Sequence, residues 1–155
     1  MKLAKSLDLF GTAESCCATS RNDHILLDSA LHCLNRAFKI RYENLGPFHV
    51  DTVETLNKTA RVLMRRKSFS EARDSYFEVL RVRKAIFGRN HPCVAVSAQA
   101  LATAHARLFQ VEAARNYFEL ALEIYEKNGL GHHSASDAIR RDLKDLNFMK
   151  ARFEV

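Results

Sequence analysis

The apolar positions of this chain fall into a pattern that returns with a fixed period of about 42 residues, within the range of helical repeat architectures. Ala30, Leu34 and Ala37 recur as Ala72, Tyr76 and Val79, and again as Ala114, Phe118 and Ala121. Spacings of four and three place each trio on one face of a helix. The small residues let a neighbouring helix approach closely, and the large one fills the gap between them. Other columns share the register: Phe38 with Leu80 and Leu122, Ile40 with Val82 and Ile124, Ala60 with Ala102. A fixed period of this size marks a stack of like units, each burying its apolar face against the next.

The breaks between apolar runs repeat as well. Leu45-Gly46-Pro47-Phe48-His49-Val50 returns as Phe87-Gly88-Arg89-Asn90-His91-Pro92, and a looser third version reads Leu130-Gly131-His132-His133. Glycine supplies the left-handed turn that ends a helix, and proline suits the first turn of the next. Each unit therefore divides into two helices. The pattern predicts helices over about Lys2 to Thr19, Leu26 to Asn44, Val50 to Arg66, Ser70 to Phe87, Pro92 to Leu108 and Val111 to Lys127. A last one, from about Ser134 to Arg152, carries Ile139, Leu143, Leu146 and Met149 beside Arg140, Arg141, Asp142, Lys144 and Asp145. Such a wet outer face is what the end cap of a solenoid requires. The first helix fits the register least well, although Ala18 falls one period before Ala60.

With no linker or low-complexity stretch, residues 1–155 read as a single domain. Its approximate units are 1–46, 47–88 and 89–131, followed by a capping helix over 133–152. No apolar run is long enough to span a membrane. Asp8 and Glu14 interrupt the amino-terminal segment and speak against a secretory leader. Cys16, Cys17, Cys33 and Cys93 show neither zinc spacing nor a favourable disulfide arrangement, which suits a reduced, metal-free, cytoplasmic protein. The formal net charge of +6 favours an acidic partner without choosing its class.

Period alone leaves HEAT and armadillo repeats open. The small–large–small trio of each second helix, taken with Ala60 and Ala102 in the first helices, resembles the tetratricopeptide repeat. The usual repeat of that kind is shorter, about 34 residues. The longer form seen here, with its Phe87-Gly88-Arg89-Asn90-His91-Pro92 connector, is similar to the repeats of kinesin light chains. Leu56-Asn57-Lys58-Thr59-Ala60 and Ala121-Leu122-Glu123-Ile124-Tyr125-Glu126-Lys127 add to the likeness. The resemblance implies an all-α fold, a tetratricopeptide-type right-handed superhelical solenoid of about three helix pairs plus a C-terminal capping helix. No sustained heptad accompanies it, so a motor-linked role does not carry over.

In such an array the first helix of each unit lines a concave groove. Counting from Ala60, the resemblance places Glu54, Asn57, Arg61, Met64 and Arg65 there, followed by Val96, Gln99, Thr103, Ala106 and Arg107. The Asn57 and Gln99 amides can pair with both the N–H and C=O of an extended backbone. Arg61, Arg65 and Arg107 can hold carboxylates through charge-assisted bonds. His49, His91 and His133 recur once per unit at helix starts, where they serve the connecting turn rather than converge on a metal. His105 stands where Leu63 stands one unit earlier, and reads as a packed residue.

Catalysis finds no support: no phosphate loop, nucleophile pattern or metal motif is present, and no cofactor is implied. The expectation is a non-enzymatic scaffold or adaptor that binds a protein or peptide segment of acidic character. The alternative is a structural subunit of a cytoskeletal or ciliary assembly. Nucleic acid is a weaker candidate, because aromatics are not interleaved with the basic residues as stacking would need.

Overall fold

A computed structural model describes residues 1–17 and 23–153, with side chains left out at 13–17, 23, 147 and 149–153. The described residues form seven helices and no strand: α1 (Lys2–Cys17), α2 (Asp23–Leu45), α3 (Val50–Arg66), α4 (Phe69–Phe87), α5 (Pro92–Arg107), α6 (Val111–Lys127) and α7 (Ser134–Phe153). They group into two compact units, Met1–Val82 and Arg83–Val155, with the division inside α4. In the first unit α1 packs on α2 and α2 on α3; in the second α5 packs on α6 and α6 on α7.

The helix ends follow from local chemistry. His49 precedes α3 in extended conformation, and its Nδ1 accepts the Asp51 N–H at 3.1 Å. His91 caps α5 in the same way, taking the Cys93 N–H at 3.2 Å, with Pro92 in the first turn. His133 takes the Ala135 N–H at 3.3 Å at the start of α7. Each ring thus satisfies a donor that the helix leaves orphaned. At the other ends, Gly46 and Gly88 adopt φ of +82° and +84°. In the third connector the left-handed residue is Gly129, not Gly131.

The recurring apolar trios form the core. Ala30, Leu34 and Ala37 are buried, as are Ala72, Tyr76 and Val79, and Ala114, Phe118 and Ala121. Ala60 and Ala102 have no exposed surface. The first helix follows a different rule. There the close approach is at Gly11, where a Cβ would stand 2.9 Å from the Ala30 carbonyl oxygen and 3.0 Å from Leu34 Cγ. Ala18, named by the register, lies outside the described residues, as do the side chains of Cys16, Cys17 and Met149. Cys33 and Cys93 are free thiols.

Hydrogen bonds obey the same period. Arg41 Nη1, near the end of α2, donates to the Asp51 carbonyl at 3.3 Å and to the Thr55 hydroxyl of α3. Arg83 Nη1, near the end of α4, donates to the Cys93 carbonyl at 3.4 Å and to Ser97 Oγ of α5 at 2.8 Å. Thr55 and Ser97 in turn each donate back to the carbonyl four residues earlier at 2.9 Å. A third copy would need Tyr125, Ala135 and Ile139; there the arginine is replaced by a buried tyrosine and the hydroxyl by a buried isoleucine.

Asp8 adds a charge to the first clamp. Buried on α1, it accepts from Lys58 Nζ of α3 and stands 3.4 Å from Arg41 Nη1. A carboxylate buried in that position needs a cation beside it, since an unpaired buried charge is costly, and here two stand within reach.

The uncovered face of α7 differs in kind from its counterpart on α5. Ala95, Ala98 and Ala102 of α5 are all fully buried. The positions one period later are Asp137, Arg140 and Lys144, the first and last exposed. Arg140 is tied to Glu126 at 3.2 Å, to Asp137 at 3.1 Å and to the Gly131 carbonyl at 2.7 Å. This trio presents charge where α5 presents methyl groups.

Candidate functional site

Two helix faces carry the residues named by the sequence. On α3, in the first unit, Asn57, Arg61, Met64 and Arg65 share one side because they are spaced by three and four residues. Arg61 and Arg65 are exposed, while Asn57 and Met64 are half-buried. The opposite side of α3 is held in the core by Thr55, Thr59 and Val62, which fixes the direction in which the arginines point. Asn57 Nδ2 donates to Glu54 Oε1 at 3.4 Å, so the amide's oxygen is the end left for a ligand.

Arg61 also marks the local electrostatics. Burial pushes the Tyr76 phenol up to about 12, and the nearby Arg61 charge pulls the other way. The buried tyrosine therefore stays neutral beneath a cationic surface through the physiological range.

On α5, in the second unit, Gln99, Thr103 and Arg107 lie on one side. Gln99 and Thr103 are half-buried. Arg107 is exposed in the last turn, where a cation complements the helix dipole. Thr103 Oγ1 donates to the Gln99 carbonyl at 3.0 Å, leaving its hydroxyl oxygen to act as an acceptor. Val96, one turn earlier, is 49% exposed and adds an apolar contact. The final helix packs on α6 and leaves this side of α5 open at Val96 and Arg107. His105 stacks on Tyr117 with centroids 5.3 Å apart, and its Nδ1 lies 2.6 Å from Gln110 Oε1.

Carrying the same count forward by one period reaches residues that the resemblance did not name. Arg141, Asp145 and Phe148 of α7 follow Gln99, Thr103 and Ala106, and all three are exposed. The signal is present in the register, but the charged pattern of this helix points to a cap alone. Burial, followed by repulsion from Asp145, raises the Asp142 carboxyl above the usual range, while Arg141 offsets part of this. Among the described residues no group of three or more His, Cys, Asp or Glu could hold a metal ion, and no helix is long and apolar enough to cross a membrane. Each face carries hydrogen-bonding groups and one or two exposed arginines at its surface.

Residues 51–127 match the tetratricopeptide repeat family. That stretch, α3 to α6, is a tetratricopeptide-repeat array. The fold places the chain with solved tetratricopeptide-like structures. One comprises the nearly identical TPR-like repeats of a Podosopora anserina protein named for kinesin light chain, with a TM-score of 0.76 and 18% identity over 92% of this chain and 64% of that one. A singly substituted form of the same repeats has a TM-score of 0.80 and 18% identity over 97% of this chain and 68% of that one. BtubC (BKLC) from P. vanneervenii is similar with a TM-score of 0.60 and 18% identity, over 94% of this chain and 66% of that one. The chain thus spans about two thirds of the length of these structures, and at this identity the likeness is one of fold. No curated protein matches the chain.

Proposed function

We propose that this tetratricopeptide-repeat chain is a non-enzymatic adaptor whose first-helix faces hold a segment of another protein, acidic in character. The observation that carries this reading is the pair of exposed arginines on α3, Arg61 and Arg65, beside the half-buried Asn57 amide. Arginine binds carboxylates bidentately, and the amide oxygen can take a backbone N–H of the same segment. Gln99 and Arg107 repeat the combination on α5. The formal net charge of +6 steers an acidic partner toward the chain.

The test is charge reversal at Arg61→Glu and Arg107→Glu, singly and together, on a partner first recovered by affinity pull-down and mapped to a segment. Loss of binding with unchanged helical content by circular dichroism supports the reading. A partner that binds the double variant like the wild type overturns it.

A specific observation favours the second reading, a structural subunit of a cytoskeletal assembly. On α1, Leu3, Leu9 and Phe10 are 56%, 69% and 57% exposed. Large apolar side chains gathered on one exposed helix mark a surface that another protein covers. Light scattering of the isolated chain separates the two readings. Concentration-dependent association that Phe10→Lys abolishes supports the subunit reading, and a monomer at all concentrations removes it.

A further inference from the structure

The first unit holds a cleft of about 490 Å³ among α2, α3 and α4, on the side of α3 away from Arg61. Its α3 wall is Leu56, Thr59, Leu63 and Arg66, spaced by three and four. A helix turns by about 100° per residue, so this row lies on a different side of α3 from the row of Asn57, Arg61 and Met64. The volume falls within the roughly 300–1,000 Å³ of ordinary ligand pockets.

Its apolar lining is Leu31 and Phe38 of α2 with Leu56 and Leu63 of α3. Phe38 and Leu56 are half-buried and the two others buried, so the apolar surface on offer is a narrow strip between polar walls. The rim is polar and unevenly satisfied. Arg66 Nε pairs with Asp28 Oδ1 at 3.0 Å across the α2–α3 edge, so that charge is already engaged. Ser75 Oγ donates to the Glu71 carbonyl at 2.9 Å. The Glu71 carboxylate itself is exposed and has no cation paired with it among the described residues. His32 and Asn35, both exposed on α2, stand on the same mouth. A narrow apolar strip with an unpaired carboxylate at the entrance suits an apolar group that has a cation close to it.

We propose that this cleft is a second docking site, for a partner-protein segment that inserts a large apolar side chain and sets a lysine or arginine against Glu71. It is independent of the arginine faces: its charge preference is the reverse, and it uses another side of α3. One chain can then hold two different segments, an acidic one on the arginine face and an apolar–basic one in the cleft.

The experiment pans a random peptide library displayed on phage against the full chain, then measures synthetic representatives by fluorescence anisotropy. The expected peptides carry a large apolar residue with Lys or Arg within one helical turn. Their affinity should fall by about tenfold or more, a change of about 1.4 kcal/mol, in Asn35→Trp, which plugs the mouth, and in Glu71→Lys, which reverses the rim charge. Both positions lie at the surface of their helices, so circular dichroism should be unchanged. Arg61→Glu should leave these peptides unaffected. Binding that survives Asn35→Trp and Glu71→Lys overturns the proposal. So does a panning that enriches no sequence, or only acidic peptides lost in Arg61→Glu; the latter result would leave the α3 arginine face standing.

Discussion

Arg83 Nη1 donates to Ser97 Oγ at 2.8 Å, and Arg41 makes the same bond to the Thr55 hydroxyl one repeat earlier. Each arginine leaves the end of one repeat's second helix and grips the first turns of the next repeat's first helix. The two clamps differ in what surrounds them. Arg83→Met removes a charge-assisted bond from a half-buried site and should cost about 1–3 kcal/mol. Arg41→Met also strips Asp8 of one of its two cations, so its cost should be nearer about 3–5 kcal/mol. Urea unfolding followed by circular dichroism ranks them; equal losses would show that Lys58 alone neutralises Asp8.

The histidine caps make a residue-type prediction. His91→Ala should destabilise the chain by about 1 kcal/mol, because the Cys93 N–H loses its acceptor. His91→Asn should restore most of that, since a side-chain amide oxygen accepts the same bond. Thermal unfolding of the three proteins decides it. A His91→Asn chain as weak as His91→Ala would mean that the stacking of His91 on Phe87, with centroids 4.9 Å apart, matters more than the cap.

Phe109 follows α5 in left-handed conformation, with φ of +58°, and is 72% exposed. That conformation costs a residue with a Cβ about 1–2 kcal/mol, and the exposed ring recovers little of it. Phe109→Gly should therefore raise stability by about 0.5–1 kcal/mol once the greater freedom of the unfolded chain is counted. Thermal unfolding checks the sign.

Alkaline unfolding should involve Tyr76. Its folded phenol ionises at about 12, against an ordinary value of 10.0, so between those values the unfolded state has lost a proton that the folded state keeps. Stability tied to that phenol is intact below pH 10.0 and falls as pH rises toward 12. Tyr76→Phe should flatten the fall. Burial also raises the Tyr125 phenol, so absorbance titration at the tyrosinate band should show Tyr76 and Tyr125 as the late-ionising pair, and Tyr76→Phe should remove one of the two.

Much of this architecture was legible in the sequence because helix length and period reinforce each other. The ends of α2 and α4 and the starts of α3 and α5 follow from Gly, Pro and His punctuation, and the buried trios follow from spacing alone. The same spacing is enough to gather Asn57, Arg61, Met64 and Arg65 on one side of α3. Three things were hidden. In α1 the helix contact moves to Gly11, because a lone glycine in a helix gives no periodic signal. The clamp partners Arg41 and Thr55 are 14 residues apart and meet only through the stacking of α2 on α3. The cleft draws its walls from three helices, and its floor residues read as ordinary core until the structure shows the space above them.

The charged trio on α7 has a consequence for growth. A stack of like units is open-ended in principle: a surface that accepts one helix presents the next surface in turn, and copies joined that way run into fibres. Asp137, Arg140 and Lys144 stand where α5 has three alanines, so this face of α7 meets a like apolar surface with charge. Alanine at all three should give α7 the slim apolar face that α5 has, and concentration-dependent association in light scattering would be its signature.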